Sequence, residues 1–449
     1  MMNPNRLLDS HYSNKNPQFI ISGEPIYRTQ FLQDICALKK KLKDTPVQSY
    51  QLCFNHSYWF TVSLFAVLAA NKEPVLLPNF QADTLLAFKK ADTGVISDIE
   101  NITSSFFVNT HSVCLTSSDE ELDNLSLSLS QTITLYTSGT TGNPKKIQRT
   151  LREILSEIQV LESTFKAQLQ SAIIYSSVSP QHLYGLIFYI LWPLYAGRSI
   201  IYPQLNYPEQ IAKMLQADEI KVLVSCPSLL SRLEFSVTKK HQHIIFSSGS
   251  LLKAEAAQSL HQNLHLQPIE VLGSTETGGI AFRQQMISAR WQTFAKVNID
   301  QDKNNLCLLV DSPFFSGEKP FLTADQVEIH PEGLFSLLGR VDRIVKVEGK
   351  RVSLDEIENH IKSHDFVSDA VVCFVDGQRQ LLAALIVLNE EGEHILSSKN
   401  KYYLDREMKA WHSRLFDLVT RPKKIRYVSK IPVNSQGKTL LSDLKQILG

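Results

Sequence analysis

Hydroxyl-bearing residues, glycines and a lysine are concentrated in residues 137–145, which read Thr-Ser-Gly-Thr-Thr-Gly-Asn-Pro-Lys. Glycine lets the backbone approach a ligand, hydroxyl and N–H groups donate hydrogen bonds to phosphate oxygens, and lysine neutralises their charge. The segment therefore predicts a loop that binds a polyphosphate, with a polar surface turn as the alternative. The candidate ligands are Thr137, Ser138, Gly139, Thr140, Thr141, Gly142 and Lys145.

The spacing in this segment differs from that of the common P-loop. A P-loop requires glycine, four residues, and then Gly-Lys-Ser/Thr, whereas Gly142 is followed by Asn-Pro-Lys-Lys. The alternating run at residues 132–136 predicts a strand before the loop, and residues 149–165 have helical spacing. The predicted order is therefore strand, phosphate loop, helix.

The elements that must position this loop alternate between strand-like and helix-like runs up to about residue 285. Such alternation predicts a largely parallel α/β domain. Short strand-like runs from about 292 to 340 predict a small β subdomain, and an α+β unit follows. We predict an α/β fold with a large N-terminal domain at residues 1–340 and a small C-terminal domain at residues 341–449.

Composition excludes several classes of function. The 449 residues suffice for two or more domains, and the net charge of +1 argues against nucleic acid as a partner. Six scattered cysteines without a CxxC pair favour reduced thiols, and hence a cytoplasmic protein, over disulfides or a zinc site. The N-terminus lacks an apolar signal core, and apolar stretches such as Leu183–Ala196 are too short to span a bilayer, so we expect no transmembrane segment.

Six further segments follow the phosphate loop in an order that resembles one family. These are Pro180–Gly185, Ser247–Ser250, Gly273–Gly278, Gly339–Val352 with Thr323–Asp325 before it, and Pro432–Lys438. Together they are similar to the motifs of the acyl-adenylate-forming, AMP-binding enzymes, which include acyl-CoA synthetases, aryl-acid ligases, adenylation domains of peptide synthetases and luciferases. The resemblance covers the chain from about residue 20 to its end.

The resemblance implies a nucleotide site and a role for each matching residue. The phosphate loop would hold the β- and γ-phosphates of ATP, and Thr275 would bond the α-phosphate. Glu276 would bind Mg²⁺, a hard cation that takes carboxylate and phosphate oxygens. The remaining nucleotide contacts would come from Gly249 and Ser250 against the adenine, Gly273 and Ser274 in the same turn as Thr275, Asp325 on the ribose hydroxyls, and Arg340.

The resemblance also implies a mobile C-terminal domain and a catalytic lysine. Lys438 would reach the acid and the α-phosphate while a carboxylate attacks the α-phosphate to give an acyl-adenylate and pyrophosphate. The small domain would then rotate about Asp342 and bring the loop with Lys346 and Gly349 into the site, where a thiol displaces AMP. His182 would line the acid pocket.

Departures from the family pattern bear on the substrate. Leu272 replaces the usual aromatic residue and Ala324 the usual glycine. No aspartate that would hold an amino-acid ammonium lies between Val178 and Ile190, which favours an aryl, hydroxyacyl or fatty acid. The segment after the phosphate loop looks like that of standalone ligases of bacterial aryl polyene clusters.

The thiol acceptor would then be the phosphopantetheine of a separate acyl carrier protein. The alternatives are a generic acyl-CoA synthetase that uses free CoA, and a non-catalytic nucleotide-binding relative.

Overall fold

The computed structural model describes residues 3–8, 16–80, 82–88, 92–108, 125–137, 145–216, 218–237, 243–347, 350–375, 381–413, 416, 421–433, 439 and 441–448. The strands are β1 (Phe19–Ile21), β2 (Glu24–Ile26), β3 (Ser49–Cys53), β4 (Glu73–Leu76), β5 (Thr93–Ser97), β6 (Phe106–Phe107), β7 (Thr132–Thr137), β8 (Lys145–Thr150), β9 (Ile173–Ser176), β10 (Ile200–Tyr202), β11 (Lys221–Ser225), β12 (Ile244–Ser247), β13 (Ile269–Ser274), β14 (Gly278–Arg283), β15 (Trp291–Thr293), β16 (Asn298–Gln301), β17 (Cys307–Asp311), β18 (Phe321–Ile329), β19 (Leu334–Arg340), β20 (Ile344–Val347), β21 (Lys350–Ser353), β22 (Val367–Val375), β23 (Leu381–Leu388) and β24 (Lys424–Tyr427).

The α-helices are α1 (Arg28–Lys43), α2 (Ser57–Ala69), α3 (Ala82–Ala87), α4 (Leu151–Leu169), α5 (Leu183–Gly185), α6 (Trp192–Ala196), α7 (Pro208–Leu215), α8 (Pro227–Leu230), α9 (Ala254–Leu264), α10 (Leu354–Lys362), α11 (Glu390–Lys399), α12 (Lys401–His412) and α13 (Leu441–Leu448). A π-helical segment, Leu186–Leu191, joins α5 to α6. Short 3₁₀ helices occur at Pro4–Leu7, Pro331–Gly333 and Val341–Arg343.

Two sheets form the large N-terminal domain. Within the described ranges, one sheet has the strand order β6-β5-β3-β4-β7-β8, and the other runs β16-β17-β18-β19-β15-β14-β13-β12-β11-β9-β10-β1-β2. Helix α2 is buried along nearly its whole length, as its uniformly apolar sequence predicts. The predicted α/β fold class, with a large N-terminal and a small C-terminal domain, is confirmed.

The predicted order of strand, phosphate loop and helix is wrong at one point. Residues 145–150 form strand β8, which pairs antiparallel with β7, and the helix begins only at Leu151. Ile147 and Arg149 on β8 are buried while Gln148 between them is exposed, which is the alternation of a strand with one covered face. Thr150 then caps α4, because its hydroxyl accepts from the Glu153 N–H at 3.2 Å.

The β-rich region predicted from about residue 292 continues the larger sheet. β15 pairs with both β14 and β19, so these strands are hydrogen-bonded to the parallel part of the sheet. The parallel strands and the later antiparallel strands therefore form one surface on which residues distant in sequence can meet.

The C-terminal domain contains the hairpin β20–β21 and the sheet β22-β23-β24, packed against α10, α11 and α13, and α12 packs against α10. Helix α11 ends at Lys399 and α12 runs from Lys401 to His412, with Asn400 between them. Asn400 has φ +75°, ends α11, and caps α12 by accepting from the Tyr403 N–H at 3.2 Å. Lys253 of the large domain contacts Asp369 of the small one, Nζ to Oδ1, at 3.2 Å.

In the part of the chain that the structure describes, no helix is long and apolar enough to cross a membrane.

Candidate active site

Several predicted site residues lie at the carboxyl ends of neighbouring parallel strands. β9 pairs with β11, β11 with β12 and β12 with β13, all in parallel. The segment with His182 follows β9, Gly249 and Ser250 follow β12, and Gly273 lies at the end of β13. Ligands of open α/β sheets bind outside the carboxyl ends of the strands, so this edge is the candidate site.

His182 is separated from the Gly-Ser-Thr-Glu segment by the width of this edge. β9 lies three strands from β13, which corresponds to roughly 14 Å at about 4.8 Å per strand. His182 is half-buried and immediately precedes α5. That separation fits a histidine in an acid pocket beside a nucleotide site, and not one among the phosphate ligands.

Residues 273–279 form a tight turn between β13 and β14 that only glycine permits at two positions. A Cβ on Gly273 would overlap the carbonyl of Gly278 across the turn. Gly278 has φ +70°, and a Cβ there would lie 2.5 Å from Oε2 of the buried Glu157. The two antiparallel strands can therefore reverse direction within a few residues.

The tip of this turn presents the two predicted catalytic residues. Thr277 is fully buried, and its hydroxyl lies 3.0 Å from the hydroxyl of Ser274. This hydrogen bond connects the two sides of the turn. Thr275 and Glu276 between them remain partly exposed. The turn thus holds a hydroxyl and a carboxylate side by side at the open edge of the sheet.

The phosphate segment meets this turn through Lys145. Lys145 is the first residue of β8, opposite Thr137 on β7, so these two residues flank the phosphate loop. Its Nζ lies 3.2 Å from Oε1 of Glu276, and the two side chains are 58% and 26% exposed. Such an exposed pair contributes little to stability, but it brings the predicted phosphate ligand Lys145 and a carboxylate from two different sheets to one place.

A buried ionic cluster behind the turn was missed by the sequence reasoning. Arg149 on β8 is 1% exposed, and it lies 3.8 Å from Glu153 and 3.6 Å from Glu157 of α4. Burial lowers the pKa of Arg149, opposed by these carboxylates, and burial raises the pKa of Glu157 against the attraction of Arg149. The signal was three charged residues spaced four apart, at positions 149, 153 and 157.

The two predicted nucleotide residues Asp325 and Arg340 are cross-strand neighbours. They face each other on β18 and β19, and Nη1 of Arg340 lies 3.0 Å from Oδ1 of Asp325. The hydroxyl of Thr323 accepts from the Asp325 N–H at 3.2 Å, so the strand is ordered without the glycine that Ala324 replaces. This pair offers the acceptor and the cation expected for a ribose and its phosphate.

The residues on either side of Asp342 are held by different domains. Arg340 is paired with Asp325 of the large domain, whereas Arg343 bonds Asp355 of α10, Nε to Oδ1, at 2.6 Å. The short 3₁₀ helix that contains Asp342 therefore joins two segments that are each anchored to one domain. This arrangement is what a hinge requires.

Gly249 and Ser250 are exposed after β12, and Gly249 has φ +97°. The hydroxyl of Ser248 donates to the carbonyl of Val271 at 2.8 Å, which binds this segment to β13. Leu272 is half-buried and packs against the large core. An apolar side chain therefore stands where relatives carry the aromatic residue.

Several predicted residues lie outside the described residues. These are Ser138, Gly139, Thr140, Thr141 and Gly142 of the phosphate loop, Gly349, and Lys438. Lys346 lies on β20, which pairs with β21.

The donor set fits Mg²⁺ bound as its ATP complex. Mg²⁺ takes one or two protein carboxylates together with phosphate oxygens and water. No group of three or more histidine, cysteine or acidic side chains with metal-binding geometry occurs among the described residues, whereas Glu276 is a single accessible carboxylate at the turn. Glu276 is thus the residue that would hold the cation.

Comparison with known proteins places part of the chain beside one family of nucleotide-binding enzymes. Residues 132–304 match the sequence profile of the family described as AMP-binding enzyme. The chain is 23% identical to tyrocidine synthase 3 of Brevibacillus parabrevis, over 83% of this chain and 6% of that protein. It is 22% identical to acetyl-coenzyme A synthetase of Shewanella sp. (strain W3-18-1), over 70% of this chain and 55% of that enzyme.

The fold is shared with solved ligases of similar length. The structure of O-succinylbenzoate CoA synthetase from Bacillus subtilis, in complex with ATP and magnesium ion, superposes with a TM-score of 0.75 at 16% identity. The match covers 98% of this chain and 99% of that one. By contrast, the chain spans about half or less of the two curated relatives named above. Residues 132–304 are thus similar to the AMP-binding enzymes, and the whole chain has the fold of the solved CoA synthetase.

Proposed function

We propose that this protein uses ATP to activate a carboxylic acid as an acyl-adenylate and then transfers the acyl group to a phosphopantetheine thiol. The observation that carries the proposal is the contact between Lys145 and Glu276, 3.2 Å apart. It joins the end of the phosphate segment to the turn with the candidate Mg²⁺ ligand. A triphosphate and its cation require one positive and one negative protein group at a single place.

In the first half-reaction, a carboxylate oxygen of the acid attacks the α-phosphorus, and the bond to the β-phosphate oxygen breaks to release pyrophosphate. Thr275 donates to the α-phosphate, and Asp325 with Arg340 orients the nucleotide. Lys438 offsets the negative charge that accumulates between two anionic reactants. Bound Mg²⁺, held by Glu276, would supply further neutralisation of the phosphate oxygens.

In the second half-reaction, the thiol sulfur adds to the acyl carbonyl and AMP leaves with the electrons of the broken C–O bond. The small domain turns about Asp342 between the two steps, and the loop with Lys346 and Gly349 enters the site. The separate anchoring of Arg340 and Arg343 supports this hinge.

We propose an aryl, hydroxyacyl or fatty acid as the substrate. The segment from Val178 to Ile190 contains no acidic residue for an amino-acid ammonium. Gln181, next to His182, is 4% exposed, and neither atom of its amide has a hydrogen-bond partner among the described residues. A buried amide without a partner is costly, so it favours an acid with a polar group that bonds Gln181.

The proposed acceptor is the phosphopantetheine arm of a separate acyl carrier protein, and free CoA is the alternative. Both present the same thiol, so the active site alone does not distinguish them. The named solved relative is a CoA synthetase, which keeps CoA as the direct competitor in any assay.

The test is a pyrophosphate-release screen over aryl, hydroxyacyl and fatty acids, followed by thioester formation with CoA and with a panel of phosphopantetheinylated carrier proteins, assayed separately. We expect release that depends on one acid class, and thioester formation with a carrier protein in preference to CoA. A thioester with CoA alone would replace the carrier-protein proposal. If none of the acids in the panel leads to pyrophosphate release, a non-catalytic nucleotide-binding protein is favoured.

A further inference from the structure

Arg149 is a buried cation whose hydrogen bonds go to backbone carbonyls of two separate segments. Its Nη1 donates to the carbonyl of Thr275 at 3.1 Å, and its Nη2 donates to the carbonyl of Phe314. Thr275 lies in the turn after β13, and Phe314 lies between β17 and β18. A guanidinium fork can serve two such acceptors at once, which a lysine ammonium or an apolar side chain cannot do in the same geometry.

Glu157 holds the other end of the same turn. Its side chain is 4% exposed, and its Oε1 accepts from the Gly279 N–H at 2.9 Å. Its Oε2 lies 3.6 Å from Nη2 of Arg149, within ion-pair range but beyond a hydrogen bond. Arg149 therefore binds the Thr275 carbonyl near the start of the turn, and Glu157 binds the Gly279 N–H at its end.

The same strand contacts two consecutive residues of the turn. Side chains two apart on a strand share a face, so Lys145 and Arg149 of β8 lie on one face, with the buried Ile147 between them. Lys145 meets the side chain of Glu276, and Arg149 meets the carbonyl of Thr275. Lys145 is also the last residue of the phosphate segment, so Arg149 fixes the turn relative to the end of that segment.

Stability alone does not explain a charge at this position. Replacing a buried ion pair by apolar residues of similar volume is often neutral or stabilising. Both carbonyls lie on loops of the larger sheet, whereas Arg149 lies on β8 of the smaller sheet. The two hydrogen bonds of Arg149 therefore fix a distance between the two sheets.

We propose that Arg149, together with Glu157, is a positioning residue that sets the Thr275–Glu276 turn at the correct distance from the phosphate loop for binding of the magnesium complex of ATP. This inference rests on the proposed function. Variants of Arg149 should weaken ATP binding more in the presence of Mg²⁺ than in its absence. The reason is that they displace Glu276, the residue that would hold the cation.

The test uses two variants of the full chain and one matched control. Arg149→Lys keeps the charge opposite Glu157 but loses the fork, and the double variant Arg149→Met with Glu157→Gln removes both charges. Glu153 keeps its hydrogen bond from the Thr150 N–H, at 2.6 Å, in each variant. The control is Arg198→Met with Glu162→Gln, a pair 2.7 Å apart in which the buried arginine follows α6 and the half-buried glutamate lies on α4, the helix of Glu157.

The measurement is the Kd of ATP by calorimetry without acid, once with Mg²⁺ and once with EDTA, after thermal unfolding shows that each variant is folded. We expect both Arg149 variants to raise the Kd of ATP about tenfold with Mg²⁺ and by a smaller factor in EDTA. A tenfold rise is the effect expected from the loss of one charge-assisted hydrogen bond. The control should match the wild type within about twofold, well below that effect.

Equal weakening with and without Mg²⁺, or equal weakening in the control, would overturn the proposal and leave the proposed function standing. If the wild type binds magnesium ATP but releases no pyrophosphate with any acid, the proposed function fails while the binding comparison still decides the role of Arg149. If the wild type binds no ATP under either condition, both fail together.

Discussion

Gly278 offers the sharpest test of the turn that carries Thr275 and Glu276. Its φ is +70°, and a Cβ there would lie 2.5 Å from Oε2 of Glu157 and 3.2 Å from Nη2 of Arg149. Gly278→Ala therefore combines two penalties. The left-handed backbone costs about 1–2 kcal/mol for a residue with a Cβ, and forced packing against a buried group costs about 1–3 kcal/mol.

Gly23 is the matched control. It has φ +96°, in the turn between β1 and β2, and a Cβ there would meet nothing within 4 Å. Gly23→Ala should therefore show only the backbone penalty, about 1–2 kcal/mol. The difference between the two variants measures the contact with the buried cluster and nothing else.

The assay is urea unfolding followed by tryptophan fluorescence, together with acid-dependent pyrophosphate exchange. We expect Gly278→Ala to lose about 2–5 kcal/mol, the sum of the two penalties, and to exchange pyrophosphate at least about tenfold more slowly because the turn shifts. Gly23→Ala should exchange at the wild-type rate. Equal stability of the two variants, or full exchange by Gly278→Ala, would refute the packing of the turn against Glu157.

Three further predictions concern single side chains. Burial raises the pKa of Asp34 from 3.8 to about 6, against hydrogen bonds from Tyr58 and Gln30 that lower it. Its contribution to stability is therefore full below about pH 3 and is lost as the pH rises from about 4 through about 6, so Asp34→Asn should stabilise by up to about 3 kcal/mol at pH 8 and by only about 0.1 kcal/mol at pH 3, in urea titrations at both values. Lys438→Ala should abolish adenylate formation while ATP still binds in calorimetry, and full adenylation by this variant would remove its catalytic role. Asp342→Pro, which fixes φ at the hinge, should spare pyrophosphate release but slow thioester formation at least about tenfold in single-turnover assays, since domain rotation gates that step.

The sequence was sufficient to predict those features that depend only on residues within or next to them in the chain. Helix α7 starts at Pro208, a favoured first helical position, and strand β11 is a short apolar run, so residues within each element indicate its type and its bounds. The motif residues Glu276, Asp325 and Arg340 were likewise identified from short patterns. Such signals are local, so no long-range information is required.

Features that depend on distant partners were missed. Residues 149 and 150 were assigned to a helix because charged and apolar residues there follow helical spacing, but the pairing of β8 with β7 outweighs that preference. The role of Arg149 is set by carbonyls 126 and 165 residues away, and no sequence pattern indicates those contacts. Helix α11 was missed because its polar sequence has weak periodicity, and its start depends on a cap from Asn389.

The measurement that tests the central claim most directly is isotope exchange between labelled pyrophosphate and ATP, with Mg²⁺ and a single added acid and no thiol. Exchange requires that the acyl-adenylate form and revert on the protein, so it reports the first half-reaction alone. The account predicts exchange that appears only with one class of carboxylic acid and is lost in Glu276→Gln. Absence of exchange with every aryl, hydroxyacyl and fatty acid tried, by a protein that binds magnesium ATP, would contradict it.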